Sequence, residues 1–155
     1  MTDPASRSAT DELPPGAVAL GWAGVLPFFA LALALAAAPR EWRDLAAQAF
    51  LAYGALILSF LGGVRWGRAL AGGAGTGQFA AAVLPSLWGW LAWLVLPPVP
   101  AVLMLAGGFA LVAWWDGRGD AMAAPASFRR LRRGVTAAVL ACHALALAGL
   151  WVGRA

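Results

Sequence analysis

The sequence predicts an all-α integral membrane bundle of five transmembrane helices, and three observations predict it. First, 62% of the 155 residues are hydrophobic and 12% are charged, with a mean hydropathy of +0.76. A soluble domain of this size has too little interior to hide so much apolar surface. Second, the apolar residues fall into five runs, each near the roughly 20 residues that cross about 30 Å of hydrocarbon. Third, the charges gather between the runs, where arginines orient a membrane protein.

Residues 1–15 carry Asp3, Arg7, Asp11 and Glu12 and end at Pro14-Pro15, so they read as a disordered tail before a transmembrane domain over 16–155. The first run covers 16–38. It closes on Ala36-Ala37-Ala38, as a cleaved signal peptide would, but an acidic lead and an over-long apolar stretch favour a span. The second covers 45–64, the third 79–96, the fourth 99–115 and the fifth 135–153. Pro97-Pro98 separates the third from the fourth, with Pro100 in the next first turn; proline is accepted at helix starts and breaks interiors, which predicts a tight helical hairpin.

Five crossings put the termini on opposite sides. Arg7, Arg65, Arg68, Arg118, Arg129, Arg130, Arg132 and Arg133 fall on one side, against Arg40, Arg43 and Arg154 on the other. The excess predicts an N-terminus on the inner, cytoplasmic side and a C-terminus on the outer side. The net charge of +4 follows from this loop bias and does not call for nucleic acid. All seven acidic residues, Glu41, Asp44, Asp116 and Asp120 among them, lie outside the predicted runs, which counts against a carrier driven through an intramembrane carboxylate. HExxH, CxxC, GxSxG and phosphate-loop patterns are absent, so the sequence offers no catalytic residue, metal site or cofactor.

Several residues remain as candidates. Arg65, beside Trp66 at the end of the second run, is either a snorkelling edge marker or a contact to an anion or partner. Ala55, Ser59, Gly63 and Gly67 recur every four residues and predict a close helix contact. Trp88, Trp90 and Trp93, after Pro85 in PSLWGWLAW, are candidates for an apolar pocket. FRRLRR, residues 128–133, reads as a loop whose Arg129, Arg130, Arg132 and Arg133 meet lipid headgroups. His143, next to Cys142 within the fifth run, reads as a neutral hydrogen-bonding residue; haem ligation would need a second histidine, and the chain has one.

GWAGVLPF over 21–28, followed by AYGALILSFLGGVRWG over 52–67, resembles the uncharacterised domain shared by bacterial inner-membrane proteins and the animal mitochondrial transmembrane protein 69. PSLWGW and the basic segment before the last run fit in order. The resemblance implies a multi-pass inner-membrane protein with no catalytic residue to carry over; Gly62, Gly63, Arg65, Trp66 and Gly67 are motif positions. The WNPP-type motif of the five-span tryptophan-rich translocators is missing, so their ligands enter only by analogy. The expected role is structural or accessory, with the bilayer and a membrane-protein partner or second copy as contacts. The alternative is a bundle that binds or transports an anion or a porphyrin- or sterol-like ligand.

Overall fold

A computed structural model describes residues 13–73, 75–118 and 125–152. Six helices form it: α1 (Pro15–Ala23), α2 (Leu26–Ala37), α3 (Arg40–Ala71), α4 (Thr76–Val95), α5 (Pro98–Asp116) and α6 (Ala126–Val152). With α1 and α2 taken as one broken segment, five helical segments are long and apolar enough to cross a membrane. The protein is a multi-pass membrane bundle. Most of the tail, with Arg7, and the C-terminal Arg154 lie outside the described residues.

The break in the first segment has a local cause. Pro27 has no N–H to give the carbonyl of Ala23, and the helix restarts at Leu26 with proline in its first turn. The Tyr53 hydroxyl, from α3, donates to the Gly24 carbonyl oxygen at 2.9 Å, so a neighbouring helix satisfies backbone that the break exposes. The expected spans are corrected at other ends as well. α3 is 32 residues long, about 48 Å at 1.5 Å per residue, more than one crossing of about 30 Å needs, and it carries charged residues toward both ends. α6 begins at Ala126, so FRRLRR is helical and not a loop. The Pro97 hairpin between α4 and α5 forms as the prolines predict.

α3 packs along α4 and also touches α2 and α5; α6 packs along α2 and α5. At the centre, Phe28 of α2, Phe50 of α3, Phe109 of α5 and His143 of α6 form one aromatic cluster, with ring centroids 4.8–5.7 Å apart in the contacting pairs. Tyr53 packs edge-on against Phe28 in the same cluster. Four helices thus meet on a bulky, fully buried core, while glycine and alanine line the closer approaches between backbones.

Candidate functional site

The charged end of the bundle holds the most developed polar arrangement among the described residues. Arg65 Nη1 donates to Asp116 Oδ1 at 2.8 Å. Arg132 donates to Asp116 Oδ2 through Nε at 3.1 Å and Nη2 at 2.9 Å. One carboxylate from α5 therefore joins guanidiniums from α3 and α6. Asp116 is the last residue of α5, where the helix dipole is negative and disfavours an acidic group, so its charge is held by cations from the neighbours. The Trp115 ring lies 4.3 Å from Arg65 Cζ and adds a cation–π contact. Arg118 lies over Trp114 at 3.5 Å.

This arrangement gives Arg65 a partner within the chain, where the sequence left it as either a snorkelling edge marker or a contact to an anion or partner. Its carboxylate partner was hidden because Asp116 and Arg65 are 51 positions apart and belong to different segments. A usable signal stands in the sequence: Arg118, two residues after Asp116, falls on the same predicted side as Arg65. Trp66, the neighbour of Arg65, is exposed and packs edge-on against Phe79, 5.0 Å away.

The four arginines of FRRLRR divide by helical position. Arg132 turns to Asp116, Arg130 and Arg133 are exposed, and Arg129 is half-buried. The helical periodicity of α6 separates side chains that a loop would leave equivalent.

The four-residue stripe is also corrected. Gly63 and Gly67 are exposed, with no atom within 4 Å of where a Cβ would stand, and Ser59 is half-buried. The close contact belongs to the next residue: a Cβ on Gly62 would stand 2.5 Å from the Ala82 carbonyl oxygen. Ala55 does take part, because a Cβ on Gly89 would lie 2.9 Å from its Cα. Apolarity on both faces of α3 does not mark which face meets protein.

Trp88, Trp90 and Trp93 do not line a common pocket. All three are exposed at the bundle surface. Trp88 straps α4 to α5, its Nε1 donating to the Met104 carbonyl at 2.6 Å and its ring lying across Gly108. An apolar crevice of about 610 Å³ occurs instead between α1–α2 and α6. Its wall includes Trp22, Val25, Leu26, Phe29, Ala138 and Cys142.

His143 is buried in the aromatic cluster. Its Nδ1 is 2.8 Å from the Val139 carbonyl, which can only accept, so Nδ1 carries the proton. Nε2 is buried with no hydrogen-bond partner. Among the described residues no three histidine, cysteine or carboxylate groups gather as metal ligands would.

Residues 13–148 match the family described as "Protein of unknown function (DUF3429)". The chain is also similar to transmembrane protein 69 of Xenopus tropicalis, at 37% identity over 110 residues, covering 66% of this chain and 43% of that protein. The chain thus spans less than half the length of this curated relative. No solved structure matches it.

Proposed function

From the premise that the chain belongs to the family described as "Protein of unknown function (DUF3429)", we propose that it is an accessory protein of a bacterial inner membrane. Its N-terminus is cytoplasmic, its C-terminus periplasmic, and its arginine-rich end rests on anionic headgroups. The observation that carries this reading is the Asp116 bridge to Arg65 and Arg132, which brings the ends of α3, α5 and α6 to one face. Arg68, Arg118, Arg129, Arg130 and Arg133 accompany them there in sequence, against Arg40 and Arg43 at the opposite end of α3. Such an excess belongs on the cytoplasmic side, where the leaflet's negative surface attracts it by about 1 kcal/mol per basic residue.

Ion-pairing also favours a structural role for Arg65 over an anion-carrying one. Its guanidinium already has a carboxylate partner and a tryptophan face. A transported anion would have to compete with both.

Paired reporter fusions test the orientation. A periplasmic reporter should be active after Ala155 and silent before Gly16, with the cytoplasmic reporter giving the reverse. The opposite pattern at either end overturns the assignment. Headgroup attraction is tested with the full chain in nanodiscs of mixed lipid: enrichment of phosphatidylglycerol around it should fall as salt rises. Equal enrichment of neutral lipid removes this part of the reading.

A further inference from the structure

We infer that the crevice between α1–α2 and α6 seats one acyl chain of an anionic phospholipid whose phosphate rests on Arg130 and Arg133. The inference depends on the proposed contact of the arginine-rich end with headgroups, and it adds a defined lipid site to that contact. The crevice is apolar, and Trp22, Leu26 and Phe29 at its edge are exposed on the bundle surface, so it opens sideways toward lipid.

Its two ends are closed. Toward the arginines, Gly21 packs on Leu131 and Gly134 packs on the Trp22 ring; a Cβ on Gly134 would stand 3.2 Å from that ring. At the other end a Cβ on Gly149 would meet the backbone of Leu35 and Ala36 at 2.8 Å. The break at Gly24–Val25 falls between these contacts, and Val25 and Leu26 line the gap it leaves. Helices pinned above and below cannot part enough to admit another helix, which with side chains is about 10–12 Å across. A slender hydrocarbon chain enters without moving either contact.

The charges stand at the right height for a headgroup. Arg130 and Arg133 precede Ala138 by eight and five residues, about 12 and 8 Å along the axis of α6. Leu145, at the far wall, is about 22 Å from Arg130 along the same axis. One leaflet of hydrocarbon is about 15 Å deep, so a chain descending from a phosphate at the arginines reaches the crevice in its distal half. Arg130 also lies only about 40° around the helix from Gly134, just below the opening. Both guanidiniums are exposed and offer several N–H donors to a phosphate.

Native mass spectrometry of the full chain, released from nanodiscs holding equal phosphatidylglycerol and phosphatidylcholine, tests the site. One phosphatidylglycerol should be retained per chain, in excess over phosphatidylcholine. Ala138→Phe fills the crevice, and Ala141→Leu fills it from an exposed position that leaves the fold intact; each should lower retention about fivefold or more. Arg130→Gln with Arg133→Gln should remove the preference for phosphatidylglycerol. If both filling variants retain lipid like the parent while the arginine variant loses preference, the crevice site is wrong and headgroup attraction stands. If the arginine variant keeps its preference, both fall. A chain dimer that Ala141→Leu separates would assign the crevice to a second copy and also overturn the inference.

Discussion

Asp116 occupies the carboxyl end of α5, a position at which backbone carbonyls already concentrate negative potential. Its two oxygens are divided between Arg65 and Arg132, so replacing it leaves two guanidiniums facing each other. Asp116→Asn should therefore cost more than Arg65→Lys. The three side chains are 17–21% exposed, between surface pairs worth about 0–1 kcal/mol and buried pairs worth about 3–5 when broken. A loss of about 1–3 kcal/mol is expected for Asp116→Asn, read by denaturation in detergent. Arg65→Lys retains the charge and loses the planar fork and its stacking on Trp115, for a loss under about 1 kcal/mol. Equal losses would mean that charge pairing is not what Asp116 provides.

At the scale of the helices, contacts are set by which small residue faces which backbone. Gly62 has the Ala82 carbonyl against it, and Gly63 has open space. Gly62→Leu should reduce folded yield and cost at least about 1–3 kcal/mol by overpacking, whereas Gly63→Leu should fold like the parent. Comparable damage from both would show that α3 is rotated from the position described. The broken first segment gives a second prediction. Tyr53→Phe keeps the ring against Phe28 and removes the donor to the Gly24 carbonyl. Hydrogen bonds within membranes average about 0.6 kcal/mol, so the global loss should be small. Hydrogen exchange at Gly24–Phe29 should nevertheless accelerate locally, because the break loses its cross-helix anchor. Unchanged exchange there would rule the tyrosine out as that anchor.

The whole molecule is one bundle closed by an aromatic centre and, at one end, a charge bridge across three helices. Asp116→Arg should abolish folding yield, and adding Arg65→Asp with Arg132→Asp should restore part of it, since full inversion re-forms both pairs. Rescue requires α3, α5 and α6 to meet at that face; failure of the triple variant, with Asp116→Arg alone well folded, would separate them. Five spans, the proline hairpin and the arginine bias were all determined by the sequence, because hydrocarbon thickness and proline's missing donor act on local stretches. The sequence predicts 16–38 as one unbroken span, although a signal for its break is legible there: Pro27 stands inside that apolar run, with a glycine three residues before it. What Tyr53 does for the break is not, since Tyr53 lies 29 positions from Gly24. Likewise only the tertiary structure decided that Gly62 and not Gly63 meets α4, that Arg132 reaches Asp116, and that the apolar crevice lies beside Cys142 rather than among Trp88, Trp90 and Trp93. The reason is common to all three. In a membrane both lipid and protein interior are apolar, so hydrophobic patterning locates a helix without fixing its rotation, and side-chain packing between distant segments fixes it.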